Sequence, residues 1–267
     1  MKVVCCPARA GKSFCAARDA EPFILAPNTR GWIVGPNYEL GEKEFRYIWE
    51  DLFVEGKKHG LPPPTKKGYN IRSGDMYMQF PWGSEVRVKS ADNPSSLLGE
   101  ELDWVIMSEA AQTNGGVFER YIDARLRIRR GRAIIATTPQ MGADWVWRYY
   151  ELGAGANDVG VESFNWPVTE NPNYPVEEFE HARSLVDAGV MSEEAFREQF
   201  LGEWVAYTGS VFKTFKTKIH VCEPFPIADA WPKYRGIDFG AKDPFCTLWL
   251  AETPDGDVVY REYYEEG

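Results

Sequence analysis

The chain has 267 residues, is 44% hydrophobic and carries ten tryptophans, enough apolar matter to bury the core of one large domain, or of one domain and part of another. Its net charge of −10 argues against indiscriminate coating of nucleic acid, although an acidic protein can still grip DNA through a local basic surface. The five cysteines, Cys5, Cys6, Cys15, Cys222 and Cys246, are odd in number and none is in Cys-x-x-Cys spacing, which favours reduced thiols in a cytoplasm over a disulfide framework or a zinc site.

The apolar run after Lys2 is broken by Arg9 and Lys12 before it reaches the length of a signal-peptide core, and no later run approaches membrane-spanning length. Val3–Cys6 reads as a buried strand. Directly after it, Cys6 to Ser13 spell CPARAGKS, a phosphate-binding loop in which Cys6 stands where the first glycine is expected. A bare Gly-Lys-Ser is more often a surface turn. Here it lies between a strand and a helix start at Phe14–Arg18, the setting that phosphate chemistry requires. Backbone N–H groups over Ala8, Arg9, Ala10, Gly11, Lys12 and Ser13 would then face phosphate oxygens, Lys12 would bring a point charge to the β- and γ-phosphates, and the Ser13 hydroxyl would face magnesium.

Gly31–Gly35 reads as a second buried strand. Glu39–Glu55 places Phe45, Ile48, Trp49, Leu52 and Phe53 at helical spacing. Tyr69–Lys89 alternates polar and apolar residues around two turn signals and is predicted to be an antiparallel appendage of two or three strands. Trp104–Met107 is a further strand, ending in Ser108-Glu109. An acid at that place is a Walker B carboxylate, with Glu109 as the general base for water. Ser108 occupies the usual magnesium-side aspartate position, which predicts a raised magnesium requirement because a hydroxyl lacks the carboxylate's charge. Taken alone, Glu109 reads equally well as the start of a surface turn.

Val117–Ile128 has helical spacing and runs into RLRIRRGR, where Arg125, Arg127, Arg129, Arg130 and Arg132 read equally as a solvated helix end or as a phosphate or DNA contact. Ala133–Thr137 is a fourth buried strand, closed by Thr137-Thr138-Pro139; those hydroxyls suit a γ-phosphate sensor, and a plain turn would look the same. Helices are predicted over Ala143–Leu152, Glu177–Val186 and Ser192 to about Trp204. Turn-forming residues from Tyr207 to Ser210 mark the expected domain boundary, giving domains 1–207 and 208–267. Beyond it, Tyr234–Asp238, Cys246–Ala251 and Asp257–Tyr264 read as an antiparallel meander. Strand–helix alternation makes the fold class α/β, with a mainly parallel sheet flanked by helices.

Taken together, CPARAGKS, RGWIVGPNYELGEKEF at 30–45, NPSSLLGEELDWVIMSEAA at 93–111, ATTP at 136–139, FLGEWVAYTGSVF at 200–212 and YRGIDFGAKDPFCTLWL at 234–250 resemble the large terminase subunit of tailed bacteriophages over nearly the whole chain. The resemblance implies a P-loop ATPase domain of the ASCE type, followed by the first strands of a ribonuclease H-like, metal-dependent nuclease. It implies ATP and Mg2+ as cofactors, with Mg2+ or Mn2+ for a complete nuclease site. Its partners would be double-stranded DNA, a portal protein, a small terminase subunit and other copies in a ring, with no membrane, in the cytoplasm of a bacterial host and transiently at the procapsid portal. By position, Arg9, Lys12 and Glu109 match catalytic residues, Ser13 and Ser108 the magnesium side, Thr137 and Thr138 the coupling segment, and Asp238 the first nuclease acid, with Asp243 a weaker second.

Relative to that family the chain is expected to be shortened at both ends, with the adenine-contacting segment missing upstream and the later nuclease acids missing downstream. The competing readings are another P-loop machine, such as a helicase-like translocase or a nucleotide kinase, and a degenerate nucleotide-binding scaffold. A kinase has no use for an acid at the end of the Glu109 strand followed by a threonine-rich strand, and about 60 residues after the boundary are too few for a second helicase lobe.

Overall fold

A computed structural model describes residues 1–140, 143–205, 220–239, 245–254 and 256–265. The chain divides into two units, Met1–Thr208 and Gly209–Gly267. The first is built on an eight-stranded sheet in the order β3-β4-β5-β2-β6-β7-β1-β8. Its strands are β1 (Lys2–Cys5), β2 (Arg30–Gly35), β3 (Lys66–Asn70), β4 (Asp75–Gln79), β5 (Glu85–Ser90), β6 (Trp104–Ser108), β7 (Arg132–Thr137) and β8 (Glu162–Phe164). From β5 to β8 every neighbouring pair is parallel, and β3 and β4 extend one edge as an antiparallel hairpin.

Side-chain alternation explains why both faces are covered. In β1, β2, β6 and β7, Val4, Ile33, Ile106 and Ile134 point to one face, while Val3, Trp32, Val34, Val105, Met107 and Ile135 point to the other. The first face is covered by α1 (Lys12–Leu25), through Ala16, Ala17, Ala20 and Ile24, and by α2 (Tyr38–Ile48), through Phe45 and Ile48. The second is covered by Phe118, Ile122, Trp145 and Val146. Strands buried on both faces read as continuous apolar runs, which is why β1, β2, β6 and β7 stand out in the sequence.

The expected antiparallel strands are present as β3, β4 and β5, each paired antiparallel with the next, but they are not an appendage: β5 also runs parallel to β2 in full register from Arg30–Glu85 to Gly35–Ser90. The segment is an edge of the main sheet, and its EVRVKS alternation reflects one packed face, not a separate insertion. β8, three residues long, is too short to leave a periodic signal.

α2 is set by its N-cap and by two glycines. The Asn37 side-chain oxygen accepts a hydrogen bond from the Leu40 N–H at 2.9 Å, which satisfies one open donor of the first turn. A Cβ on Gly35 would stand 2.5 Å from the Gly41 nitrogen. The end of β2 and the first turn of α2 therefore meet backbone to backbone, bringing α2 against the C-terminal edge of the sheet.

The second unit contributes β9 (Lys233–Asp238), β10 (Phe245–Thr253) and β11 (Gly256–Glu265), an antiparallel meander in the order β11-β10-β9. Asp238, at the end of β9, pairs with Cys246 of β10 and is exposed. Asp243 and the boundary residues Tyr207–Ser210 lie outside the described residues.

Candidate nucleotide site

The loop after β1 leaves the sheet at Cys6, whose N–H donates to the Thr137 carbonyl at 3.1 Å. Cys6 thus prolongs the β1–β7 pairing by one residue, and its side chain is fully buried. Burial pushes its thiol up to about 12, so the group is a packing residue. The turn itself is made by Arg9 and Gly11, both at positive φ (66° and 91°). Gly11 is the N-cap of α1, and a left-handed backbone there suits the residue without a Cβ. Side chains from a later segment hold the loop from outside: Trp166 Nε1 donates to the Ala10 carbonyl at 2.7 Å and Asn171 Nδ2 to the Arg9 carbonyl at 2.6 Å. The Arg9 and Ala8 residues are exposed.

Lys12 opens α1 and is only 6% exposed. Its Nζ donates to Thr138 Oγ1 at 2.9 Å and lies 3.3 Å from Glu109 Oε1. β7 lies between β1 and β6, so the ends of three strands converge on one ammonium. Glu109 is 8% exposed and adopts a left-handed backbone, φ 45°, a conformation that costs a non-glycine residue on the order of 1–3 kcal/mol and collects at functional sites. It is held by its neighbours. Thr137 Oγ1 accepts the Ala111 N–H at 3.0 Å and donates to the Thr138 carbonyl at 3.1 Å, and Lys43 of α2 places its Nζ 3.4 Å from Glu109 Oε1.

Ser108, expected on the magnesium side, meets α2 here as well. Ser108 is fully buried and its hydroxyl donates to the Leu40 carbonyl of α2 at 3.0 Å. One turn further along α2, Glu44 is fully buried; its carboxyl oxygens make no well-aligned hydrogen bond, and the Ser108 and Ser13 hydroxyls are the polar groups beside them. Burial raises its pKa to about 7; the adjacent Ser108 and Ser13 hydroxyls pull it back, and the Glu109 charge pushes it further up. Sequence reasoning missed both Lys43 and Glu44. The available signal was the spacing Gly41-Glu44-Phe45-Ile48, which puts a glutamate inside the buried stripe of α2.

Beside the loop lies a cleft of about 920 Å3 lined by Phe14 and Tyr47 on one side and Asn165, Trp166 and Asn173 on the other. Its aromatic rings and amides are the chemistry of a base-binding wall. The arginine-rich stretch, in contrast, is largely engaged locally: Arg127 pairs with Asp123 at 2.5 Å, Arg129 with Asp103 at 3.0 Å, and Arg125 donates to the Tyr121 carbonyl at 2.7 Å. Asp238 sits in the other unit. Among the described residues no group of three or more His, Cys, Asp or Glu side chains is arranged to hold a metal ion.

A mainly parallel sheet flanked by helices, with Gly-Lys-Ser between its first strand and helix and an acid ending a nearby strand, defines a P-loop, ASCE-type ATPase fold. No protein-family model matches the chain. The large terminase subunit of Escherichia phage T5 is 27% identical over 271 residues, covering 98% of this chain and 58% of that protein. That of Thermus virus P23-45 is 28% identical over 295 residues, covering 98% and 59%. The ATPase domain of the Thermus phage P74-26 large terminase superposes with a TM-score of 0.61 at 26% identity, over 76% of this chain and 88% of that one. The large terminase of bacteriophage HK97, at 17% identity, shares the fold, with a TM-score of 0.56 over 98% of this chain and 59% of that one. In both sequence and fold the chain is similar to phage large terminase subunits. It spans somewhat under three-fifths of the length of the curated relatives it matches.

Proposed function

We propose that the first unit, read as residues 1–207, binds and hydrolyses ATP as the motor domain that drives double-stranded DNA into a phage procapsid. The observation that carries this reading is the convergence of Lys12, Glu109 and Thr138 within hydrogen-bond and ion-pair distance at the ends of β1, β6 and β7. Phosphate arriving at the loop would draw Lys12 away from Glu109 and Thr138. Glu109, released from that pair but still beside Lys43, would take the proton of the attacking water. Thr138 loses its donor in the same event, and Thr137, bonded to the Ala111 amide two residues past Glu109, would pass the change along the β7 end. Arg9, exposed on the loop, is suited to reach phosphate oxygens.

The residues fit a divalent cation: Ser13 and Ser108 bring hydroxyls, and a buried carboxyl with no well-aligned hydrogen bond lies against both. When bound, Mg2+ would neutralise charge on the β- and γ-phosphates. The nucleotide base would enter the aromatic cleft between Phe14, Tyr47 and Trp166.

The partners that follow from the terminase likeness are double-stranded DNA, a portal protein, a small terminase subunit and further copies in a ring, met in the cytoplasm of an infected bacterium. Among the described residues no helix is long and apolar enough to cross a membrane. Residues 208–267 read as the first strands of the nuclease domain, with Asp238 its first acid.

The test is phosphate release from ATP, with and without double-stranded DNA, by wild type and Lys12→Ala. A motor domain gives release that depends on Lys12 and is stimulated by DNA. Equal release from both proteins, or none from either, would refute it.

A further inference from the structure

We infer that Glu44 supplies the carboxylate that steadies the nucleotide's divalent cation, in place of an acid at position 108. This deepens the ATPase reading and rests on it.

Three observations on α2 and β6 carry the inference. The Glu44 carboxyl is fully buried, with no well-aligned hydrogen bond to either oxygen and only the Ser13 and Ser108 hydroxyls close by, an arrangement that costs about 1–3 kcal/mol unless something compensates. A core position in the stripe Gly41-Glu44-Phe45-Ile48 would pack an apolar side chain at no such cost. Next, the groups beside this carboxyl are the Ser13 hydroxyl, the Ser108 hydroxyl and the Glu109 charge: the loop serine, the end of the acid strand and the candidate base. A cation held at Ser13 is therefore within the reach of Glu44, directly or through a coordinated water.

The third observation explains position 108 itself. Ser108 donates its hydroxyl proton to the Leu40 carbonyl, one turn before Glu44. An aspartate there would set an acceptor against that carbonyl and a second negative charge against Glu44. The serine and the buried glutamate are thus compatible as a pair. The serine pins the first turn of α2 to the end of β6, and the close Gly35–Gly41 approach fixes the rest of the helix, so that the acid arrives from α2. Carboxylates that orient metal-bound groups contribute roughly 10–100-fold to metal affinity.

The experiment measures the affinity of a fluorescent, non-hydrolysable ATP analogue in EDTA and in saturating Mg2+, and takes the ratio of the two as the metal's gain. In wild type the gain should be clear. Glu44→Gln, nearly isosteric, should cut it by about tenfold or more while leaving affinity in EDTA no weaker than wild type. Adding Ser108→Asp to Glu44→Gln should restore it, because the acid then returns through β6. Ser108→Asp alone should leave the gain unchanged or lower, since the carboxylate is already supplied.

A Glu44→Gln protein that keeps the full gain would overturn the inference, as would a single Ser108→Asp variant with an increased gain. Wild type that binds the analogue in EDTA with no gain in Mg2+ would overturn the Glu44 role and leave the nucleotide reading standing. Wild type that binds the analogue in neither condition would overturn both.

Discussion

Lys12 and Glu109 face each other as an ion pair, Nζ to Oε1 at 3.3 Å, with both side chains about nine-tenths buried. The proposed phosphate-binding cation and the candidate base are thus each other's partner, and Lys43 is the second cation on the same carboxylate oxygen. Buried ion pairs are costly to break by deleting one member, because the other is left uncompensated. Phosphate is a replacement anion for Lys12, and Lys43 remains for Glu109, so exchange leaves neither charge alone.

The Thr137 hydroxyl ties the end of β7 to the Ala111 amide, two residues past Glu109. Thr137→Val keeps the shape and orphans that part-buried N–H, which should cost about 1 kcal/mol or more. Denaturant unfolding checks the loss. Phosphate release should fall as well, since the left-handed backbone of Glu109 loses one of its supports; full activity in the variant would separate Thr137 from the site.

Gly35 admits no side chain: a Cβ would stand 2.5 Å from the Gly41 nitrogen and 2.7 Å from the Asn37 carbonyl oxygen. Gly35→Ala must push the first turn of α2 away from β2, at an overpacking cost of roughly 1–3 kcal/mol. Because α2 carries Lys43 and Glu44, the magnesium-dependent part of nucleotide affinity should fall together with the denaturation midpoint. Lost stability with an unchanged magnesium gain would mean that α2 does not position the metal side.

Cys6 fills a buried place in the sheet edge, and its N–H is already bonded. Restoring the glycine of the usual motif, Cys6→Gly, should therefore lower stability by about 1 kcal/mol or more, through added chain entropy and lost burial. Nucleotide affinity should not rise. Thermal melting and analogue binding measured on the same preparation check both halves.

The parallel core was legible because its strands are buried on both faces and read as apolar runs. The phosphate loop was legible because Gly-Lys-Ser falls between one such run and a helix start. The antiparallel pairing of β3, β4 and β5 was legible from their alternation, but the parallel pairing of β5 with β2 was not, because at the rim of the parallel core its outward side chains, Glu85, Arg87 and Lys89, are polar. Lys43 and Glu44 were invisible for a related reason. Charged residues on an amphipathic helix are ordinarily solvated, and only the three-dimensional meeting of α2 with β6 buries Glu44 beside Ser108. The wall of the cleft comes from an irregular stretch around Trp166, whose place beside the loop no local pattern announces.

Asp238 stands exposed at the end of β9, and among the described residues no acidic group assembles around it. Two-metal phosphodiester cleavage needs several acids holding ions about 4 Å apart. Incubating supercoiled plasmid with the 267-residue chain and Mn2+ reads out whether Asp238 takes part in such a site. Nicking that disappears in Asp238→Ala would show that a working metal site forms.

The division of labour between Lys12 and Glu109 is tested most directly by Glu109→Gln, with analogue binding and phosphate release measured side by side. The amide keeps the shape, removes a negative charge from beside the phosphate position and frees Lys12 from its partner, so binding should be retained or tightened. Turnover should fall by about 100-fold or more, the usual contribution of a positioned base. Phosphate release at the wild-type rate would contradict the assignment of Glu109 as the group that activates water.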